Sequence, residues 1–172
     1  MADVAVGQQT EASNAAAATT LVINITPAAA GSSLHLPITC GTGFTINSVV
    51  SSPSLTWAQR NAVDDGNQAL FDWTADNITA VAHAITITFS GSAPYRGAFA
   101  KEIINTSGYD AAASAAHAAA VTASPGTGAD GITTGNTSAL SAQPALISAA
   151  TISTNTVALA TAGTGFTSDG VG

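Results

Sequence analysis

The sequence predicts an all-β protein, an antiparallel β-sandwich with jelly-roll or immunoglobulin-like connectivity. Apolar residues recur at every second position over short stretches, which is the pattern of half-buried strands. Clusters of Gly, Ser, Pro and Asn separate these stretches, as turns between consecutive strands do. A chain of 172 residues can bury roughly 70% of its unfolded surface, so it is long enough to hold two sheets together around one core.

The first two predicted strands differ in how regular they are. Residues 21–25 form a period-two apolar row that Pro27 ends. A second period-two row, residues 34–40, places His35 and Pro37 opposite its apolar side chains, so His35 is expected to face solvent. Because Pro37 has no N–H to give to a ladder, this strand is expected at a sheet edge or interrupted at Pro37.

The middle of the chain continues the same pattern. An extended region over residues 49–57 is split by Pro53, and residues 64–67 (Asp-Asp-Gly-Asn) have the composition of a turn. Residues 69–75 resume as a strand. Residues 84–90 give the clearest alternation, with Ile and Phe on the inward face and Thr and Ser on the outward face, and residues 97–104 form one more strand.

The C-terminal third is harder to assign. Residues 110–121 are rich in Ala, the best helix former, but they offer no apolar stripe larger than Ala, so extended structure is preferred there. Residues 124–145 resemble a loop, and residues 145–152 and 156–160 are predicted as late strands. The sequence stops just after a turn signal, so either a neighbouring molecule completes the sheet or the sequence is truncated.

The expected organisation is a flexible N-terminal arm, residues 1–18, followed by one sandwich domain, residues 19–172. The arm lacks bulky apolar residues, and it has neither the basic start nor the apolar run of a secretory signal. No stretch approaches the roughly 20 apolar residues of a membrane span. A Thr-, Ser- and Ala-rich composition without an export signal is typical of a virion protein that is made in the host cytoplasm and released by lysis.

Charge and cysteine content exclude several classes of protein. Only three basic residues are present and the net charge is -7, which disfavours nucleic acid, because neutralising phosphates requires clustered Lys or Arg. Cys40 is the only cysteine, so the chain has no intramolecular disulfide and no thiolate metal cluster. It is expected to be a small buried hydrophobe in a strand.

Motifs for catalysis are weak, and the chain is not expected to be an enzyme or to carry a cofactor. Residues 126–131 match the spacing GxGxxG, but no strand precedes them and no helix follows them. The three histidines, His35, His83 and His117, are far apart and form no HExxH motif, and the chain has no GxSxG. Asp72, Asp76 and Glu102 are the candidates for a paired-carboxylate site of a glycan-degrading enzyme.

Two sets of residues are candidate binding sites, but an ordinary structural role is favoured for each. Asp64, Asp65, Asn67 and Asp72 carry oxygen ligands suited to Ca²⁺, but their spacing fails the EF-hand loop and a surface turn is favoured, so no metal site is expected. A second set consists of aromatic residues that could form a sugar-binding platform: Trp57, Phe71, Trp73 and Tyr95. Aromatics at strand spacing more often pack in the core.

About half of the chain carries segments that together suggest a family. A Gly-marked turn precedes an apolar strand, and a Leu-Thr-Trp strand crosses the core. The segments are Leu21-Val-Ile-Asn-Ile, Ala30-Gly-Ser-Ser-Leu-His-Leu, Ile46-Asn-Ser-Val-Val, Leu55-Thr-Trp57, Ile85-Thr-Ile-Thr-Phe and Lys101-Glu-Ile. This stretch resembles β-sandwich modules of tailed-phage structural proteins and, more loosely, of bacterial surface proteins.

The resemblance implies a virion component. A capsid decoration (cement) protein is expected first, with the major capsid protein and further copies of itself as partners, and with no nucleic acid or membrane. The alternative is a tail-associated receptor- or carbohydrate-binding module, or a bacterial adhesin. No catalytic residue follows from the resemblance.

Overall fold

Eight antiparallel strands and no helix make up the described part of the chain, which in the computed structural model is residues 4–64, 66–106 and 108. The strands are β1 (Ala5–Asn14), β2 (Ala18–Ile25), β3 (Ser33–Gly41), β4 (Ile46–Ser52), β5 (Trp57–Asp64), β6 (Gln68–Ala75), β7 (His83–Ala93) and β8 (Arg96–Ile104). They form a five-stranded sheet, β1-β8-β3-β6-β5, and a three-stranded sheet, β2-β7-β4. The predicted all-β sandwich is therefore confirmed.

The order of pairing identifies the connectivity. β1 pairs with β8, β2 with β7 and β3 with β6, as if one long antiparallel hairpin had been rolled up. This nested pairing is that of a jelly roll, one of the two connectivities expected. One strand departs from the nested scheme, because β5 pairs with β6 in the larger sheet and not with β4.

The core lies between the two sheets and follows the period-two rows of the sequence. In β7 the inward residues Ile85, Ile87 and Phe89 are buried, whereas the residues between them are partly or fully exposed. In β3 the inward residues, Leu34 to Cys40 at alternate positions, are fully buried. Each such Leu or Ile contributes about 1.5–3 kcal/mol relative to an exposed position, so alternation alone supplies much of the driving force for stacking the sheets.

The structure corrects the prediction of a flexible arm over residues 1–18, because most of that segment is strand β1. β1 runs antiparallel to β8, from Ala5 opposite Ile104 to Asn14 opposite Arg96. Its hydrogen bonds need no bulky side chains, and its one partly buried apolar contact with the core is Ala12. Backbone hydrogen bonds to β8 hold this segment in place. Such hydrogen bonds cannot be recognised from a composition of small polar residues.

The expected edge position of β3 is also wrong. β3 lies in the middle of the five-stranded sheet, between β8 and β6. Its ladder to β6 runs through Pro37, which faces Asp72. On the other side, β8 partners are assigned to His35 and Ile38 but not to the two residues between them. The ladder is thus interrupted where the missing N–H of Pro37 would donate, and this part of the expectation holds.

The remaining strand predictions on residues 21–104 agree with the structure within a few residues at their ends, except for β5 (Trp57–Asp64), of which the predicted extended region, residues 49–57, included only the first residue. The predictions for residues 110–121, 124–145, 145–152 and 156–160, and the end of the 19–172 domain, lie outside the described residues. At one side of the sandwich β2 lies alongside β1 and β8, where the two sheets meet. The opposite side is flanked by the edge strands β4 and β5.

Candidate functional site

Glu102 is the most completely engaged polar group of the described residues. It sits on β8 opposite Leu34, fully buried. Its Oε2 accepts the N–H groups of Gln8 and Ala28, both at 2.9 Å, and its Oε1 accepts the Ala29 N–H at 3.0 Å and the Ser32 hydroxyl at 2.9 Å. Four donors therefore fill the four lone-pair positions of one carboxylate.

The carboxylate of Glu102 joins three parts of the chain: β1, the β2–β3 connection and β8. Burial raises the pKa of Glu102, but the N–H groups of Ala28, Gln8 and Ala29 and the Ser32 hydroxyl outweigh it, so this pKa lies below its usual value. An ionised carboxylate whose two oxygens both accept hydrogen bonds is poorly suited to proton transfer near neutral pH. The role of Glu102 is therefore to hold the fold together.

The three acids predicted as a paired-carboxylate site do not meet. Glu102 shares the inward face with Leu34, whereas Asp72 lies opposite Pro37 on the outward face of the same sheet. Asp76 follows β6 and lies 3.6 Å from the Arg60 guanidinium. Because Glu102 is on the other face and already engaged, it does not form with Asp72 the acid pair that glycoside hydrolysis requires.

The structure corrects the prediction that His35 faces solvent, because this side chain is buried. It projects from the outward face of β3 and is 9% exposed. β8 and β6 flank it on either side, with Lys101 and Thr74 as its cross-strand neighbours, and its Nε2 contacts the Asp72 carboxylate. A residue at this position of an edge strand would be open on one side, so its burial follows from the central position of β3.

Charged side chains on the outward face of the five-stranded sheet contact other side chains. Beside the His35–Asp72 contact, Arg60 Nε donates to the Thr74 hydroxyl at 2.8 Å. The Lys101 ammonium lies 5.6 Å from the centre of the Phe99 ring, within range of a cation–π contact. The first two of these contacts join neighbouring strands, whereas Lys101 and Phe99 both lie on β8.

His83 makes structural contacts in the described part of the chain. His83 is 1% exposed, its Nδ1 lies 3.1 Å from the Pro53 carbonyl oxygen, and its Nε2 lies 3.1 Å from the carbonyl oxygen of Thr79. It thus ties together two loops at one end of the sandwich. His117 and the GxGxxG match at residues 126–131 lie outside the described residues.

Asp64, one of the four candidate calcium ligands, is engaged in a turn. Asp64 accepts hydrogen bonds from the Thr42 hydroxyl at 2.8 Å and from the N–H groups of Gly43 and Gly66 at 3.0 and 2.9 Å. The Gly43 and Gly66 N–H groups and the Thr42 hydroxyl, in that order, hold the pKa of Asp64 below its usual value. Asp65 is outside the described residues. Among the residues described, no three His, Cys, Asp or Glu side chains are grouped for a metal ion.

The four aromatic residues do not form one platform. Phe71 and Trp73 lie opposite Ile38 and Leu36 on the inward face, and Phe71 is 5% exposed. Trp57 packs against the same core and donates from its indole N–H to the Ser51 hydroxyl at 3.3 Å. Tyr95 is 65% exposed, in the turn between β7 and β8. The predicted stacking surface for a sugar is therefore not assembled from this set.

An open, apolar cavity of about 350 Å³ lies near the β3–β4 turn. Phe44, Val63 and Phe71 contribute to its walls, and Asp64 stands at its rim with its oxygens already engaged in the turn. The polar side chains of its lining are those of Thr45 and Asp64, a smaller set than the convergent polar groups that orient a ligand in most binding pockets.

The largest surface with a distinctive chemistry is the outward face of the three-stranded sheet, which we name the neutral face. β2, β4 and β7 contain no Asp, Glu, Lys or Arg. Val22 and Val50 are 49% and 54% exposed, and Thr86 separates them in the same cross-strand row. The members of the neutral face are Thr20, Val22, Asn24, Ser48, Val50, Ser52, Ala84, Thr86 and Thr88.

Every member of the neutral face has a short side chain, and none carries a charge that would have to be desolvated on contact. The sequence contains the signal for it, since the three strands can be identified from their alternation and are all uncharged. What the sequence does not reveal is that these three strands are neighbours.

Comparison with known proteins adds no relative: no protein-family model, no curated protein and no solved structure matches the chain. Within the described ranges, no helix is long and apolar enough to cross a membrane.

Proposed function

We propose that this chain is a virion structural protein, a capsid decoration protein that binds the outer surface of a phage shell through the neutral face. The observation that carries the proposal is the absence of charge from all three strands of that sheet, in a chain whose net charge is -7. Charged residues are depleted where proteins contact one another.

The distribution of polar groups supports a binding role over a catalytic one. Glu102 is saturated by four donors, and Asp64 is engaged in a turn. Asp72 contacts His35, and Asp76 lies near Arg60. These four acids thus have structural contacts, while Val22 and Val50, two of the exposed apolar side chains, lie on the three-stranded sheet.

The jelly-roll connectivity is compatible with this setting, because viral capsid domains use it, although lectins do too and a fold does not determine function. The mechanism is mass action. A protein that binds the assembled shell, and not free capsid subunits, shifts the equilibrium toward the shell.

The setting is tested by quantitative mass spectrometry of purified virions from a source that encodes the chain. A copy number comparable with that of the major capsid protein is expected. A copy number of only a few per particle would move the chain to the tail, and absence from particles would overturn the proposal.

The surface is tested by adding the full-length chain to shells that lack it and measuring what sediments with them. Val22→Glu places a charge on the neutral face at a position that is 49% exposed, and it is expected to weaken binding by at least about tenfold. Val81→Glu is the matched control, since Val81 is 44% exposed and lies outside the neutral face. Equal binding by the two variants would contradict the assignment of this face.

A further inference from the structure

The four edge strands of the described sandwich are not equally protected against pairing with another chain. β1 carries Glu11, and β5 carries Arg60 and Asp64, so both edges of the larger sheet present charges. β2 lies alongside β1 and β8 where the sheets meet. β4 has no charged residue. Charge on an edge strand is a common device against edge-to-edge pairing, and β4 lacks it.

The side chains of β4 leave its edge accessible. After an irregularity between Ile46 and Ser48, residues 48–52 follow a regular ladder on β7. Along this stretch the outward residues are Ser, Val and Ser, and Val50 at its centre is 54% exposed. In the described sheet β4 has a neighbour, β7, on one side only. A flat uncharged strand of this kind is a template for another strand.

We propose that β4 pairs antiparallel with β4 of a second copy of this chain, so that two three-stranded sheets join into one six-stranded sheet. A two-fold axis through the centre of residues 48–52 sets backbone N–H groups of each copy opposite backbone C=O groups of the other. It also sets Val50 opposite Val50 of the second copy, with about 4.5–5.5 Å between their Cβ atoms. Two chains of net charge -7 meet here across edges that carry no charge.

The size of the neutral face gives a reason for such a pair, an argument that rests on the proposed function. Three strands about 4.8 Å apart and about eight residues long cover roughly 400 Å². One partner of a typical stable interface contributes about 800 Å². A β4-to-β4 pair places two neutral faces side by side and reaches that area, whereas one copy supplies about half of it.

Sedimentation velocity of the full-length chain over a micromolar concentration series tests the pairing. The wild type is expected to form a dimer. Val50→Lys and Val50→Glu each place two like charges side by side across the axis and are expected to raise the dimer dissociation constant at least about tenfold. An equimolar mixture of the two variants is expected to recover the dimer, since the charges are then opposite. Loss of folding would not be reversed by mixing.

Val22→Lys is the matched control, because Val22 lies in the same cross-strand row but on β2, away from the β4 edge. It is expected to dimerise as the wild type does. A monomeric wild type, a dimer unaffected by Val50→Lys, or a mixture that stays monomeric would each overturn the pairing. The two proposals can fail separately. If the chain binds shells as a monomer, only the pairing is contradicted, and if it forms a dimer that binds no shell, only the decoration function is contradicted.

Discussion

Replacing Glu102 with Gln should destabilise the protein far more than removing any exposed charge. Glu102 accepts four hydrogen bonds, two on each carboxylate oxygen. Gln keeps one oxygen and therefore two of the acceptor positions. If the new amide faces Ala29 and Ser32, the Ser32 hydroxyl can turn and accept, but the Ala29 N–H is left facing another donor.

The expected cost of Glu102→Gln follows from this count. One hydrogen bond to a charged group, worth about 1.5–3 kcal/mol, is lost, and the remaining ones become neutral and weaker. The free energy of unfolding should fall by about 3 kcal/mol. Glu102→Ala removes all four partners at a fully buried position and should cost more than about 4 kcal/mol, a loss that few single substitutions reach.

The pH dependence has a defined sign. The pKa of Glu102 in the folded protein lies below its usual value, because four hydrogen-bond donors outweigh the effect of burial. Its contribution to stability is therefore complete above the unfolded pKa and is lost as pH falls through the lower, folded pKa. Acidification below about pH 4.5 should destabilise the wild type more steeply than Glu102→Gln, which has no carboxylate to protonate.

Urea denaturation of the wild type and both variants between pH 3 and pH 7 measures these differences. Glu11→Gln is the matched control, since it removes the same charge from an exposed position on β1 and should change stability by less than about 0.5 kcal/mol. If Glu102→Gln matched Glu11→Gln in both unfolding free energy and acid profile, the structural role assigned to Glu102 would be refuted.

Two further predictions concern the same core. A Cβ on Gly7 would stand 2.4 Å from Glu102 Oε2, so Gly7→Ala should cost about 1–3 kcal/mol, and a double-mutant cycle with Glu102→Ala should show a smaller cost; strict additivity would contradict this contact. Burial, and secondarily the charge of Asp64, raises the pKa of Cys40 to about 11, so the native thiol should react with an aromatic disulfide reagent at pH 8 many times more slowly than the unfolded chain. Rapid, complete labelling of the native protein would be inconsistent with that burial.

The strands could be predicted because alternation is a local signal. Residues 84–90 specify both the strand and the face of each side chain, and β7 has that arrangement. The flexible arm was mispredicted for the opposite reason. β1 is held by ladder hydrogen bonds to β8, which is far away in sequence, and side chains such as those of Gln9 and Ser13 give no sign of such a partner. Strand pairing over that distance is a property of topology.

His35 and Pro37 show a second limit of local reasoning. Their alternation with Leu36 correctly places them on the outward face. Whether that face is open to solvent depends on the neighbours of β3, which the sequence does not name. With β8 and β6 on either side, His35 becomes buried beside Asp72. The acids illustrate the same point, because Asp72 and Glu102 are separated by the thickness of a sheet that only the topology creates.

Topology also turns composition into a surface. Scarcity of charge was a property of the whole chain, but the fold sorts the charges that exist. Arg60, Asp72 and Lys101 fall on strands of the five-stranded sheet, where Arg60 and Asp72 contact side chains of a neighbouring strand, and β2, β7 and β4 carry no charged residue. If the few charged residues were spread evenly over the surface, no face would differ from another in its suitability for contact with a partner. A charged sheet backed by an uncharged one instead makes one face and its β4 edge the candidates for the two proposed contacts.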